Sequence, residues 1–245
     1  MAAQRVRAAA AGGRLVETSN ISISIIIPTL NEAGYLSQAL TTLFDNIDQS
    51  RVEVIISDGG SQDATLAIAG QFPCRITSGA MGRSIQMNQG SQLAKGEWLF
   101  FMHADSSLPV NWRSEIENAE AWGFFPVKLS GQSGLFRIIE YAMSLRSSIT
   151  NIATGDQGLF FKRSFFNQLT GFPEIPIMED IAISKNARQL YNPGIANSAI
   201  ITSSRRWEKN GIVKTVLLMW WLRLAYWFGA SPDRLHRLYY PNHCR

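Results

Sequence analysis

From Ile21 the chain reads ISISIIIP, a dense β-branched run closed by proline, and this pattern predicts a strand buried on both faces. A helical stretch to Asn46 follows Asn31-Glu32-Ala33-Gly34, and Val52 to Ser57 reads as a second strand ending in the turn Asp58-Gly59-Gly60-Ser61. The pattern then predicts a helix over 64–70, a short strand over 74–77, a helix over 83–94 and a strand over 97–102. Strands alternating with helices at this spacing indicate βαβ units and a mostly parallel sheet. The second half is less regular. It predicts strands over 123–131, 158–162 and 195–202, and helices over 135–148 and 181–190. Residues 1–20, rich in Ala and Arg, lack the apolar stretch of a secretory signal. They read as a disordered leader or an over-extended start, with a transit peptide the weaker alternative.

In parallel sheets ligands bind beyond the carboxyl ends of the strands, so the residues just after each strand carry the functional information. Pro28, Thr29, Asn31 and Glu32 follow the first strand; Asp58, Ser61 and Asp63 follow the second; His103, Asp105 and Ser106 follow the strand ending at Met102. Carboxylates gathered at one edge repel one another unless a cation or hydrogen-bond donors compensate them. This implies a divalent metal together with a ligand that presents N–H groups. Arg83 and Asn88, on the helix after Gly82, add positive charge and an amide. Glu179 and Asp180 fall at a helix start, where capping and the macrodipole alone would also favour acids.

Residues 212–228, IVKTVLLMWWLRLAYWF, are apolar nearly all round. The run is shorter than the roughly 20 residues of a spanning helix, and a central charge would cost about 2.5–3.5 kcal/mol on insertion. An interfacial helix that also packs on the domain is the expectation, with a packed core helix as the alternative.

Composition narrows the classes further. With 245 residues and 46% hydrophobic content, one large domain is expected, and a mean hydropathy of −0.03 excludes a polytopic membrane protein. The charge of +4 comes from 23 Lys and Arg against 19 Asp and Glu spread along the chain, without the clustering of a nucleic-acid footprint. Two cysteines, Cys74 and Cys244, make no disulfide framework and have no metal-ligand spacing. Cytoplasmic placement, with peripheral contact at the cytoplasmic face of a membrane, is the expectation.

The motif order Pro28-Thr29-Leu30-Asn31-Glu32, Asp58 to Asp63, Arg83 with Asn88, His103-Ala104-Asp105, Glu179-Asp180 and Arg206-Trp207 resembles inverting glycosyltransferases of family 2 with the GT-A fold. Each motif is weak alone, but their order across residues 22–210 is specific. The tracts RSIQMNQG and SSRRWEKNG are closer to small bacterial-type members linked to arsenosugar or carotenoid glycosylation than to processive synthases. The resemblance implies an α/β, Rossmann-like, mostly parallel nucleotide-diphospho-sugar transferase domain over 21–210, a leader over 1–20, and a C-terminal apolar helix and tail over 211–245. It also implies a nucleotide sugar, a UDP-sugar, as donor, Mn²⁺ or Mg²⁺ as cofactor, and a small or lipid-like acceptor.

By the same resemblance Asp58 accepts a uracil N–H, and Pro28, Thr29, Glu32, Ser61, Asp63, Arg83, Asn88 and Ala104 complete the nucleotide-sugar site. Asp105 holds the metal, while His103 stands where many relatives carry Asp, so its role as ligand, sugar contact or packing residue stays open. Asp180, or its neighbour Glu179, is the catalytic base. Asp156, Gln157, Arg206 and Trp207 contact acceptor or diphosphate, and Ser203 in place of the Gln of processive synthases implies transfer of one sugar. A catalytically silent nucleotide-sugar binder on the same fold is the alternative. A nucleotidyltransferase is weaker, because PTLNEAG lacks the Gly-rich basic loop it would need.

Overall fold

The computed structural model describes residues 21–240, the side chain of Arg206 excepted. The leader expected over 1–20, and Cys244 with the last residues, lie outside the described residues. The elements in chain order are β1 (Ile23–Thr29), α1 (Ala33–Phe44), β2 (Val52–Asp58), α2 (Thr65–Ala69), β3 (Arg75–Ser78), α3 (Arg83–Leu93), β4 (Trp98–Phe101) and β5 (Ser106–Ser107). There follow α4 (Trp112–Glu117), β6 (Trp122–Phe124), β7 (Val127–Leu129), α5 (Gly134–Thr150), a 3-10 turn (Gly155–Gln157), β8 (Leu159–Lys162), α6 (Arg163–Gln168) and α7 (Glu179–Ala187). The chain then forms β9 (Gly194–Ile195), β10 (Ile200–Thr202), α8 (Arg205–Asn210), α9 (Ile212–Trp227) and α10 (Pro232–Tyr239).

The main sheet has the order β3-β2-β1-β4-β8-β6-β9. β1 lies between β2 and β4, parallel to both, with Thr29 beside Asp58 and Ile26 beside Phe101. Its residues Ile23, Ile25, Ile26 and Ile27 are buried, as the β-branched run predicts for a strand covered on both faces. β8 runs antiparallel to both β4 and β6, so its first residue, Leu159, lies beside Phe101, the last residue of β4. The turn before β8 is thereby brought to the edge where β1, β2 and β4 end.

Two strands expected to be continuous are divided between sheets. Residues 122–129 supply β6 to the main sheet and β7 to a small sheet of order β5-β10-β7, and residues 194–202 supply β9 and β10 in the same way. The break in the first falls at Phe125-Pro126: the Phe125 N–H donates to Gln157 O (2.8 Å), and proline has no N–H to extend the ladder. In the second, Ala196 N donates to Phe124 O and Ile200 N to Pro126 O, while Asn197 and Ser198 between them turn out to Glu115 of α4 and Asn111 just before it. Gly123 fits this crossing because a Cβ there would collide with the Gly194 carbonyl and the Phe160 ring.

Among the described residues no helix is long and apolar enough to cross a membrane. α9 covers the domain instead. Its Leu222 is buried with Met178, Ile181 and Leu235, which ties α9 and α10 to the start of α7.

Candidate active site

The loops after β1 and β2 are stitched together by their own polar side chains. Asp58 is buried and accepts four hydrogen bonds, from Thr29 Oγ1 (3.1 Å), Ser61 Oγ (2.5 Å) and the N–H groups of Gly60 and Ser61 (2.8 Å each). Burial works against its charge, but these bonds outweigh it and hold the carboxyl below its ordinary value. Ser61 Oγ accepts from the Asn31 N–H, and Asn31 Oδ1 accepts from the Gln62 N–H, with Asn31 in the left-handed region at φ 55°. Asp63 accepts from the Ala33 N–H at the start of α1 and from Thr65. Beneath them the Gln86 amide donates to Thr29 O (2.7 Å) and Ser57 O (3.0 Å), fixing α3 to the ends of β1 and β2.

Above this floor opens a cavity of about 1800 Å³ lined by residues of every loop at the edge, including Thr29, Glu32, Arg83, His103, Asp105 and Asp180. Burial, then the charge of Asp105, raises the Glu32 carboxyl. Burial also raises Asp105, which Arg205 and Arg83 pull back and Asp156 pushes up again. The two acids therefore repel each other within reach of two guanidinium groups.

Asp180 occupies the far wall. Met178, buried and in the left-handed region at φ 71°, turns the chain so that α7 begins with Glu179 and Asp180 at the cavity. Such a conformation in a long side chain costs on the order of 1 kcal/mol or more and is held by its packing. Asp180 Oδ2 accepts the Gly155 N–H (2.7 Å) and Oδ1 the Ile181 N–H (2.7 Å). Burial first, then the charge of Glu179, pushes the Asp180 carboxyl up to about 7. Glu179 itself is buried and faces Arg83 at 4.0 Å. His103 is driven down to about 3 by burial and then by Arg83, so its imidazole is neutral.

Known proteins resemble this chain in both segment and fold. Residues 24–118 match the model of Glycosyl transferase family 2. That segment is similar to the catalytic domain of family 2 glycosyltransferases. The chain is 40% identical over 95 residues to a PGL/p-HBAD biosynthesis glycosyltransferase of Mycobacterium bovis, a match covering 35% of this chain and 36% of that relative. The chain thus spans little more than a third of the curated relative's length. Its fold is that of S. aureus TarS residues 1–349 in complex with UDP, with a TM-score of 0.62 and 18% identity over 75% of this chain and 60% of that one. It is also that of glucosyl-3-phosphoglycerate synthase from Mycobacterium tuberculosis with Mn²⁺, UDP and glucosyl-3-phosphoglycerate, with a TM-score of 0.52 and 18% identity over 80% and 77% of the two chains. The expected GT-A architecture is the observed one.

The residues singled out on sequence divide into two groups. Pro28, Thr29, Glu32, Arg83, Ala104, Asp105, Asp156, Glu179, Asp180 and Trp207 line the cavity. Asp58, Ser61 and Asp63 lie behind it as loop stitching, and the carboxylate expected to receive a base N–H already accepts four bonds from its own loop. Asn88 also serves the scaffold, because both ends of its amide pair with the Phe172 backbone at 2.8 Å. Gln157, expected at the acceptor or diphosphate, is fully buried, and its Oε1 accepts from Thr154, Ser147 and Arg146. It orients the 3-10 turn and does not reach the cavity. The side chain of Arg206 lies outside the described residues.

Three cavity residues escaped the sequence reading. Arg205 stacks 3.7 Å over the Tyr35 ring, with its charge acting on Asp105 and Glu32. Its neighbour in the Arg-Trp motif masked it. Gln86 lies inside the tract RSIQMNQG, where the run of amides was a usable signal. Arg146 had none, since it sits within an otherwise apolar helical pattern.

Among the described residues no three His, Cys, Asp or Glu side chains gather to hold a metal ion. Asp105 with the neighbouring Glu32 fits the sparser mode in which one or two carboxylates share a divalent cation with substrate phosphates.

Proposed function

We propose that the protein is an inverting glycosyltransferase that moves a single hexose from a nucleotide sugar, a UDP-sugar, to a hydroxyl or carboxyl of a small or lipid-like acceptor. The observation that carries this reading is Asp180, which among the carboxylates lining the cavity is the one fixed by two backbone N–H groups and pushed up to about 7. A base with such a pKa is matched to deprotonating an alcohol at physiological pH. One base suffices for direct displacement, whereas glycoside hydrolysis needs a flanking pair.

In the transfer, the acceptor oxygen forms its bond to the anomeric carbon while the bond from that carbon to the diphosphate oxygen breaks. The acceptor proton passes to Asp180, and the nucleoside diphosphate leaves with the electron pair. Arg83 and Arg205 supply fixed positive charge for the diphosphate. Mn²⁺ or Mg²⁺, held by Asp105 with Glu32 beside it, would neutralise the leaving group as a Lewis acid. Neutral His103 is available as a donor or ligand next to it. Trp207 offers an indole face to an acceptor ring, and Ser203 in place of a processive synthase's Gln supports release after one transfer. The stitched loops behind Thr29 and Glu32 would hold the nucleoside end of the donor. The solved neighbours that carry UDP and Mn²⁺ support the choice of donor and metal.

The test is Mn²⁺-dependent release of UDP from a panel of UDP-sugars by the wild-type protein and by Asp180→Asn. Release by the first and its loss in the second are expected. Binding of UDP with no turnover of any donor under any metal condition would overturn the enzyme in favour of a nucleotide-sugar binder.

A further inference from the structure

The cavity is larger than one nucleotide sugar needs. At about 1800 Å³ it exceeds the roughly 300–1,000 Å³ of ordinary small-ligand pockets, and the surplus lies on the side of α5 and α9. On α5, Ile138, Ala142, Leu145 and Ile149 recur at i, i+4, i+7 and i+11 and all line the cavity, while the opposite face of the helix buries Phe136, Glu140 and Ser147. On α9 the same spacing joins Val216, Trp220, Arg223 and Trp227, and the face bearing Leu222 packs on α7. Each stripe is roughly 16 Å long at 1.5 Å per residue. Ile138, Ile149, Trp220 and Trp227 are 65%, 74%, 64% and 69% exposed, so the stripes have little apolar cover among the described residues.

A second observation says what would fill them. Of the three buried side-chain polar atoms that lack a hydrogen-bond partner among the described residues, two are Arg146 Nε and Arg223 Nε. Both arginines line this cavity, one from each helix. Arg146 already donates through Nη2 to Ser147 and Gln157 and has Asp156 and Asp180 near it, but the two Nε donors have no acceptor among the described residues, and an anion is the partner that best suits a guanidinium. A purely hydrocarbon occupant would leave them unpaired, and a purely polar one would leave the stripes wet.

We propose that the groove between these stripes seats the acceptor, and that the acceptor is an anionic single-chain amphiphile whose oxyanion is met by Arg146 and Arg223 and whose hydrocarbon chain lies along α5 and α9. This rests on the transfer reading of the same cavity and narrows its acceptor class.

Trp220 and Trp227 give a readout that does not depend on turnover. Intrinsic fluorescence of the full chain is titrated with n-butanoate, n-octanoate, n-dodecanoate, n-dodecyl phosphate and uncharged n-dodecanol, each below micelle formation. Kd is expected to fall about three- to fourfold per added methylene until the groove is filled. Dodecanol should bind at least about tenfold more weakly than dodecanoate, as expected for a lost charge-assisted hydrogen bond. The two anionic dodecyl probes separate a carboxylate from a phosphate head. Arg223→Gln should erase the advantage of dodecanoate over dodecanol, and Ile149→Asp, at an exposed position that folding tolerates, should weaken dodecanoate. Affinity that is flat across chain length, or equal for charged and uncharged probes, would overturn the proposal. So would sedimentation with phosphatidylcholine vesicles while the soluble probes leave the fluorescence unchanged, since the stripes would then belong to a bilayer contact. UDP release on the same preparations keeps the two readings apart: its absence with every acceptor fails the reaction, and tight chain-dependent binding without it leaves the groove assigned.

Discussion

The two sides of the cavity are built by opposite means. On the side of β1 and β2 the chain satisfies its own polar groups: Asp58 accepts four hydrogen bonds, Ser61 and Asn31 exchange bonds between neighbouring loops, and Gln86 ties both strand ends from below. On the side of α5 and α9 the walls are apolar stripes with exposed Trp and Ile, and two guanidinium nitrogens have no acceptor among the described residues. A polar surface complete in itself is preorganised and needs little rearrangement to bind the same partner repeatedly. An unsatisfied apolar wall gains most of its stability when something covers it. Under the proposed transfer, the contrast would suit a constant donor on one side and an exchangeable acceptor on the other.

The comparison breaks first at the residue between the two sides. Asp180→Asn is expected to lower transfer by roughly three orders of magnitude while UDP still binds, measured by UDP release and calorimetry. The same variant should be more stable than wild type above neutral pH. An unfolded Asp gives up its proton near ~4, whereas folded Asp180 keeps it to about 7, so its contribution to stability falls as pH rises across that window. Thermal melting at several pH values would check the sign.

Next in size is the stitched side. Asp58→Asn can keep an oxygen toward the Gly60 and Ser61 N–H groups only by turning its NH2 toward the Thr29 and Ser61 hydroxyls that now donate to it, and with the charge also lost it should cost on the order of 2 kcal/mol in denaturant unfolding at pH 7. Because the folded Asp58 pKa is depressed, its stabilisation is present above the unfolded value near ~4 and lost as pH falls through the folded one. The gap between variant and wild type should therefore close in acid. Glu179→Gln removes the like charge beside Asp180, and the acid limb of the rate profile, expected near 7, should move to lower pH. A limb that stays in place would mean that Asp180 is not the titrating base. Smallest is Tyr35→Leu, which removes the ring beneath Arg205 and should weaken UDP-sugar binding by about 0.5–1 kcal/mol, a two- to fivefold rise in Kd.

What could be read from sequence follows the same division. β1 and β2 were legible as strands from their dense β-branched runs, and the polar residues after them do fall at one edge of the sheet. Their individual tasks were not legible. Whether Asp58 faces a ligand or its own loop depends on where the Gly60 and Ser61 amides point, and residue identity does not encode that direction. The divided strands at 122–129 and 194–202 were read as continuous because hydrophobic pattern carries no record of which sheet a residue pairs with. Gln157 sits in a turn-like tetrapeptide, and its burial comes from Ser147 and Arg146 of a helix that ends several residues earlier. Arg205, α8 and α10 were missed where a neighbouring motif or a short polar segment offered no period to read.

The reversed strand β8 has a consequence for anyone who handles this molecule. Since it starts where β1, β2 and β4 end, the sheet keeps its chemistry on one rim and leaves the other rim to plain connections. The α1–β2 connection on that quiet rim, with Asp48 to Ser50 exposed, is where a fluorophore, a surface tether or a loop extension should report on the protein without disturbing it.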